Sequence, residues 1–387
     1  MATNLSIQGQ MDVYIDKPRL EKKCDPAQAV VHFIRGREAI LEMQGMLLEL
    51  SAHCGQDGAM DHLEYFFRRP KFINKIPCLV LFCSASNPTT SEEIDGAILL
   101  YEYQVAGVGC KVFVADYHGG DRTVIAPPQF RAQVASLGCS ALLARGALAV
   151  QVTYQTELLS SEGPFVHDAK GSSRWRRASS VRAMQGYVPL EDTYDATLAN
   201  FGKHTRRNLR ASRRHAEAKL GYTFVADPVM SKEGFLSVNR ASTYPVPDEL
   251  AAWRYDAMKL LPGGLFLGIQ SRAGEWLSVI GGRRHQNGTF VEWQMNRADM
   301  TEFSLGTLMR SHLLEYEVQR GSRRLYLVGG TSHSMKYAFG TEHFVDLVAL
   351  QRALPAFLLR RFARPLMLEE TFLVQTLADP KLKWQPW

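Results

Sequence analysis

In some parts of the chain the hydrophobic positions recur with a helical period, and in others they form apolar runs of strand length. The order of these predicted helices and strands occurs twice along the chain. Each half contains helical patterns, three strands joined by short glycine-containing turns, one further helix and one further strand. The first half is predicted to form helices at 37–54, 61–69 and 128–145 and strands at 76–83, 96–104, 109–117 and 147–154. The second half is predicted to form helices at 193–219, 232–241, 247–261 and 304–320 and strands at 265–270, 276–284, 289–296 and 324–328.

The repeated order of elements indicates the fold class and the domain organisation. It predicts two tandem units of α/β (α+β) class, each a mixed, mostly antiparallel sheet flanked by helices; the alternative is one larger mixed sheet with coincidental periodicity. A charged segment rich in glycine and serine separates the halves. The predicted boundaries are an N-terminal tail at 1–25, a first unit at 26–160, a linker at 161–186, a second unit at 187–344 and a C-terminal helical tail at 345–387.

Length and composition agree with two globular units and narrow the classes of function. The 387 residues are 46% hydrophobic and 22% charged. No uncharged apolar run is long enough to span a membrane, and the N-terminus lacks a secretory apolar region, so we expect a cytoplasmic protein. The six cysteines form no CxxC pair, which favours reduced thiols and no metal site. P-loop, HExxH and GxSxG patterns are missing, which argues against kinases, zinc proteases and serine hydrolases.

Two basic segments are candidates for contact with anionic partners. Between Lys203 and Lys219, six basic residues fall on one broad helical face, which suits a cofactor phosphate, a tRNA or other RNA backbone, or an anionic membrane. The alternative for this face is simple solvation. In the tail, apolar residues and arginines at helical spacing over 345–366, interrupted by Pro355, predict a helix that packs on the two units, with a membrane surface as the alternative.

The turn before the last helix of the second half is the main candidate for a cofactor site. Ser304 is predicted to cap a helix that starts at Leu305, and Gly306 permits close approach to the backbone. Free N–H groups and the helix dipole at such a start favour a diphosphate. Downstream, Lys336 could meet a phosphate and Tyr337 could give a proton to a leaving thiolate; a solvated lysine beside a packing tyrosine is the alternative.

Several short segments together resemble the GNAT superfamily. More closely, they look like its two-unit branch, which includes CelD/BioF-like acetyltransferases and FemAB-like aminoacyl transferases, and the basic segment 201–210 is similar to the one that opens the second unit of those proteins. The resemblance covers roughly 187–340. In the family's pyrophosphate signature, present in degenerate form at 302–307, Glu302 replaces the leading basic residue. The segments that carry the resemblance are 304–308 (SLGTL), 320–321 (RG), 329–331 (GGT) and 336–340 (KYAFG).

The resemblance implies an enzyme, a GNAT-type N-acyltransferase that moves an acyl group from acyl-CoA, in the first place acetyl-CoA, to the amine of a small molecule or peptide. It implies that the turn from Ser304 to Thr307 holds the cofactor and that a backbone N–H near Met295, Asn296 or Arg297 holds the oxyanion. The alternatives are a FemAB-like transferase that uses aminoacyl-tRNA and a non-catalytic protein that binds RNA or a membrane through 203–219. The first unit is predicted to be a degenerate partner that shapes the cleft.

An amine must lose a proton before it attacks a thioester, and the candidates for the base are His285, Glu292 and Asp299. Strand alternation puts Glu292, Gln294 and Asn296 on one face, which predicts a substrate-facing surface with Glu292 as base or amine-binding carboxylate. The alternative is a solvent-exposed polar face. His285, at the end of a predicted hairpin strand, is the second candidate.

Overall fold

The computed structural model describes residues 29–56, 59–69, 74–86, 88–105, 107–115, 122–156, 175–261, 263–285, 288–327, 339–351, 373 and 385–386. Within them the helices are α1 (Arg37–Leu41), α2 (Gln44–His53), α3 (Leu63–Arg68), α4 (Arg131–Ala144), α5 (Tyr194–Ala199), α6 (Lys203–Lys219), α7 (Lys232–Arg240), α8 (Asp248–Met258) and α9 (Leu305–Gln319). The strands are β1 (Val30–Arg35), β2 (Lys75–Cys83), β3 (Ile94–Val105), β4 (Val108–Ala115), β5 (Val124–Ile125), β6 (Ala149–Thr156), β7 (Trp175–Pro189), β8 (Tyr222–Ala226), β9 (Leu265–Ser271), β10 (Trp276–Arg284), β11 (Gly288–Asn296), β12 (Arg324–Leu327), β13 (Gly340–Gln351) and β14 (Gln385–Pro386).

The predicted repetition is present, and both repeats belong to one continuous sheet. In the first half, β2, β3 and β4 are antiparallel neighbours, α4 follows, and β6 pairs in parallel with β4. In the second half, β9, β10 and β11 are antiparallel neighbours, α9 follows, and β12 pairs in parallel with β11. The strand order is β1-β2-β3-β4-β6-β13-β7-β12-β11-β10-β9-β8, with β5 beside β3 and β14 beside β7.

Strands β7 and β13 join the two halves, and here the sequence-based boundaries are wrong. Residues 175–186, assigned to the linker, belong to β7, and residues 345–351, assigned to a helical tail, belong to β13. β13 pairs with β6 on one side and with β7 on the other, whereas the end of β7 pairs with β12. The C-terminal part of the chain therefore completes the sheet of the first half.

Both faces of β13 are buried, which explains why its sequence does not alternate. Val345 and Leu347 pack in the apolar cluster under α4, and Val348 and Leu350 pack in the cluster on the opposite face. A continuous apolar run of this kind fits a buried helix and a buried strand equally well. The tail positions 352–372, 374–384 and 387 lie outside the described residues.

Helix α9 packs across the second half of the sheet and sets the position of the predicted cofactor turn. Its buried face includes Leu308 and Leu313, which lie in one cluster with Leu265 of β9 and Ile280 of β10. Helices α7 and α8 cover the opposite face, where Phe235 contacts Trp293 of β11 edge-to-face at 5.3 Å between ring centroids. β11 therefore has α9 on one side and α7 and α8 on the other.

Candidate active site

Residues 292–295 of β11 have no strand partner on the side of β12 among the described residues, and this part of the strand edge is called the gap. The parallel pairing runs from Gly288↔Arg324 to Val291↔Leu327. At the next residue, Glu292, β11 has a bulge, because Gly281 of β10 pairs with Trp293 and Gly282 pairs with Val291. A bulge bends its strand and increases the local twist, so the direction of β11 changes at Glu292.

The backbone of Gln294 points into this gap. Arg297 N–H donates to Leu277 O at 2.9 Å, which makes these two residues a hydrogen-bonded pair of the antiparallel β10–β11 ladder. Because such pairs alternate with non-bonded ones, the N–H and C=O of Gln294 and Asn296 are directed away from β10. Asn296 O accepts a bond from Thr243 N–H at 2.9 Å, so that part of the edge is covered. Gln294 is therefore the position where the edge of β11 offers a donor and an acceptor.

The turn before α9 lies at the same gap. Ser304 occupies the N-cap position in a left-handed conformation (φ 48°, ψ 51°), but its side chain makes no capping hydrogen bond, which corrects the predicted cap. Its carbonyl accepts bonds from Thr307 N–H at 2.8 Å and Leu308 N–H at 3.1 Å. The N–H groups of Leu305 and Gly306 precede the first intrahelical bond and are the orphan donors of this helix start.

Side chains from β11 add donors beside that helix start. Asn296 Oδ1 accepts bonds from Ser278 Oγ at 2.7 Å and from Gln294 Nε2 at 3.0 Å, an arrangement that orients the Asn296 amide group toward α9. A Cβ atom at Gly306 would meet Asn296 Nδ2 at 3.5 Å and Gln294 Nε2 at 3.8 Å, which are ordinary contacts. Protein packing thus does not require glycine at 306, and the space beside it suits the close approach of a ligand.

Glu292 does not share the face of Gln294 and Asn296, which corrects the prediction from alternation. The bulge turns it to the face that carries Arg283, and its carboxylate accepts hydrogen bonds from Arg283 Nε and from Tyr65. Arg69 Nη2 lies 3.4 Å from Glu292 Oε1. Tyr65 is in α3 and Arg69 follows it, so Glu292 connects the first half of the chain to β10 and β11. Burial, followed by the charge of Glu292, raises the pKa of Tyr65.

The remaining predicted site residues lie in different places. The Met295 side chain is buried under α7 and α8, and Arg297 forms ion pairs with Asp299 (2.9 Å) and Glu275 (3.1 Å). His285 directly follows β10, and its backbone pairs with Gly288 at the start of β11. Asn296, at the other end of β11, is about 26 Å away along that strand. It packs near His62, with ring centroids 5.1 Å apart, and the structure does not bring it to the start of α9. Lys336, Tyr337 and the segment 329–331 lie outside the described residues.

In the first half, the strand that corresponds to β11 is interrupted and then continues beside β3. Beyond the end of β4, residues 123–125 take its place beside β3, with Leu99 N–H donating to Thr123 O at 2.8 Å. Arg122 is buried there, and its Nε donates to Gln155 Oε1 of β6 at 2.9 Å. Pro127 and Pro128 precede α4 and supply no N–H. The turn before α4 therefore offers fewer N–H donors than the turn before α9.

The basic face of α6 lies beside the turn before α9. Ser212 Oγ donates to Phe303 O at 3.3 Å. Glu217 of the same helix pairs with Arg213 (3.1 Å), and the fold also brings Glu315 to Arg213 (2.6 Å) and Asp195 to Arg210 (2.9 Å). Within the described part of the chain, four of the six basic residues on this face have no carboxylate partner: Lys203, Arg206, Arg207 and Arg214.

The described residues form neither a cluster of metal ligands nor a helix that could cross a membrane. They contain no group of three or more His, Cys, Asp or Glu residues that could hold a metal ion. None of the helices described is long and apolar enough to cross a membrane.

Comparisons with known proteins reveal similarity in fold. No family model matches the sequence, and no curated protein matches it. The crystal structure of FemX is similar over 79% of this chain and 95% of that chain, with 10% sequence identity and a TM-score of 0.50. The structure of L-PGS from Bacillus licheniformis is also similar, with 14% identity and a TM-score of 0.48 over 83% of this chain and 96% of that chain. A tandem GNAT protein from the clavulanic acid biosynthesis pathway is similar with 11% identity and a TM-score of 0.42 over 82% of this chain and 98% of that chain. The predicted fold class, two α/β units with mixed sheets and flanking helices, is confirmed, and the fold is similar to that of FemX.

Proposed function

We propose that the chain is an N-acyltransferase that moves an acyl group from acyl-CoA, in the first place acetyl-CoA, to an amine. The observation that carries this proposal is the meeting, at one gap, of the Gln294 backbone edge with the free N–H groups of Leu305 and Gly306. A strand edge pairs with an extended amide-containing chain such as pantetheine, and a helix start binds a diphosphate. Both features are at the same end of β11.

The reaction would be a direct transfer. The amine nitrogen attacks the thioester carbon, the C–N bond forms, the C–S bond breaks, and the thiolate leaves and takes up a proton. Gln294 N–H is suited to stabilise the developing oxyanion, because it is a fixed backbone donor at the gap. The attacking nitrogen must lose one proton. Because the Glu292 carboxylate already contacts Arg283, Arg69 and Tyr65, water accepts this proton. The roles of Tyr337 as proton donor and Lys336 as phosphate ligand stay predictions.

Calorimetric titration with acetyl-CoA and with a long-chain acyl-CoA tests the donor site. Gly306→Val should weaken binding about tenfold or more, because its side chain would occupy the space beside Asn296 and Gln294; tenfold corresponds to about 1.4 kcal/mol. Gly45→Val is the matched control, since Gly45 is also the second residue of a helix and has nothing near its Cβ position. Absence of heat with both thioesters, or equal affinities of the two variants, would contradict the proposal.

A second candidate donor, aminoacyl-tRNA, is favoured by the position of the basic face of α6. The four basic residues without carboxylate partners lie on the helix that contacts the turn before α9, so a polyanion bound there would bring its end toward the gap. Aminoacyl-tRNA binding should weaken steeply with salt, and Arg207→Glu should weaken it further. Binding of acetyl-CoA, in contrast, should change little in Arg207→Glu. Tight, salt-sensitive tRNA binding without any acyl-CoA binding would favour the FemAB-like alternative.

A further inference from the structure

The connection between α7 and α8, residues 241–247, lies against the edge of β11 just beyond the gap, and we call it the α7–α8 loop. It runs antiparallel to β11 and acts as a short extra strand that covers residues 296–298 on the same side as the gap. Three backbone contacts hold it there: the bridge Ser242↔Arg297, the bond from Ala298 N–H to Ala241 O (3.0 Å) and the bond from Thr243 N–H to Asn296 O (2.9 Å).

The register of this pairing shows which bond would come next. Hydrogen-bonded pairs of an antiparallel ladder alternate with non-bonded ones, so the bonded pair after Thr243 and Asn296 would join position 245 to Gln294. In that pair, the N–H of residue 245 would donate to Gln294 O, and Gln294 N–H would donate to the carbonyl of residue 245. The residue at this position is Pro245, which has no N–H, so the first of these two bonds is impossible.

The residues on both sides of Pro245 agree that the loop leaves β11 after Thr243. Tyr244 is 87% exposed, so its side chain does not pack on the strand or on the helices. Val246 is bound instead by the buried Asn239 of α7, which donates from Nδ2 to Val246 O at 2.8 Å and accepts from Val246 N–H at 3.1 Å. Among the described residues, the N–H and C=O of Gln294 therefore have no backbone partner on the gap side.

We propose that Pro245 is a positioning residue of the transfer site, which stops the α7–α8 loop before Gln294 and so keeps this part of the β11 edge available for the thioester carrier. Proline is a common device against further pairing at a strand edge. Gln294 O then accepts a hydrogen bond from an amide N–H of the carrier, and Gln294 N–H stays available for the oxygen of its thioester. The proposal rests on the proposed acyl transfer and adds the residue that keeps its strand edge open.

Pro245→Ala supplies the missing N–H in the full-length protein, and hydrogen exchange tests the result without any ligand. The loop should extend its pairing by one step, so Gln294 N–H should exchange about tenfold more slowly than in the wild type. Pro247→Ala is the matched control, because it is the same substitution in the same loop, at the N-cap of α8 and outside the pairing. A variant loop that is merely loosened would instead speed the exchange of Ala298 N–H, which is bonded to Ala241. Unchanged exchange at Gln294 in Pro245→Ala would overturn the proposal.

Calorimetric titration with acetyl-CoA and with ADP tests the consequence for the carrier. In Pro245→Ala, acetyl-CoA must displace the new pairing, and one hydrogen bond corresponds to about a factor of five in affinity, so its binding should weaken about fivefold or more. ADP carries a diphosphate but no amide chain, so its affinity should stay within twofold of the wild type. Pro247→Ala should bind both ligands as the wild type does.

The outcomes separate this proposal from the proposed function. Equal acetyl-CoA affinities of Pro245→Ala and Pro247→Ala would overturn the role of Pro245, and so would equal losses for acetyl-CoA and ADP, which indicate a general structural defect. Absence of acetyl-CoA binding in the wild type would contradict the proposed function, whereas slowed exchange at Gln294 in Pro245→Ala would still support the stop at Pro245.

Discussion

The ion pairs of Glu292 predict that its replacement acts first on stability. Glu292→Gln removes the carboxylate that faces Arg283 and Arg69, and the Arg283 side chain is fully buried. At an effective dielectric constant of about 20, opposite unit charges about 4 Å apart attract by about 4 kcal/mol. The amide oxygen of glutamine can still accept a hydrogen bond, which offsets about 1 kcal/mol of the lost attraction. We therefore expect a loss of about 3 kcal/mol in the free energy of unfolding, similar to other broken buried ion pairs.

Urea denaturation followed by tryptophan fluorescence measures this loss as a shift in the transition midpoint. A double-mutant cycle isolates the interaction: Arg283→Met, Glu292→Met and the double variant should give a coupling energy of about 2 kcal/mol or more, with the double variant more stable than additivity predicts. Coupling near zero would refute the reasoning from these contacts.

The same variants separate the structural role of Glu292 from the base predicted from sequence. The double variant lacks the carboxylate together with its buried partner Arg283, and the contacts of Arg69 and Tyr65 with Glu292 are lost in addition. If it transfers acyl groups with wild-type pH dependence, Glu292 is not the base. If it is folded but inactive over the whole pH range, the base prediction stands and water is the wrong proton acceptor.

Two further predictions concern the buried polar side chains of His312 and Glu317 in the second half. Burial, followed by the charge of Arg213, lowers the pKa of His312 to about 4. Because the unfolded state binds the proton first, stability should fall by about 3 kcal/mol as the pH falls from 6.5 to 4, and His312→Gln should remove most of this slope in pH-dependent urea titrations. Glu317 is fully buried and accepts bonds from Arg284 (2.9 Å) and Ser322 (2.8 Å), so Glu317→Leu should cost about 3 kcal/mol; a loss below 1 kcal/mol would contradict this.

The order of elements could be predicted because its signals are local. The strand β10 matches its predicted range residue for residue, α9 is one residue shorter than predicted at each end, and β11 starts one residue earlier than predicted. Their periods, turns and lengths depend on neighbouring residues only. Two predicted helices are interrupted in the structure, the first between α1 and α2 and the second between α5 and α6, where a cap or a turn ends one helix and begins the next.

The bulge at Glu292 was the main local feature that strand alternation could not anticipate. Alternation assumes one residue on β11 for each residue on β10, whereas the bulge places an extra one there. A signal was present in the sequence: Gly281 and Gly282 face the bulge, and a Cβ atom at Gly281 would collide with the Trp293 ring. A glycine pair inside a strand often marks such an irregularity. The contacts of Tyr65 and Arg69 with Glu292, by contrast, span more than 220 residues of sequence and leave no local pattern.

The positions of β7 and β13 lead to a final prediction about the second unit. The range 187–344, taken from sequence, cuts β7 near its end and keeps only five residues of β13. β7 connects β13 to β12 in the sheet, and its last residues pair with Arg324 and Leu325. A fragment of residues 187–344 would therefore lose most of β7 and leave an unpaired, partly apolar sheet edge.

We expect this fragment to aggregate or unfold without a cooperative transition, and a fragment of residues 175–351 to be more soluble because it retains both strands. Circular dichroism and urea denaturation of the two fragments, beside the full chain, give the comparison. Cooperative unfolding of the 187–344 fragment at the midpoint of the full chain would indicate that the second unit is independent of these strands. Since β13 also pairs with β6 along eight positions, from His343↔Thr156 to Leu350↔Ala149, even the longer fragment leaves one apolar edge open. Full stability should therefore require the first half as well, which makes the two repeats one folding unit.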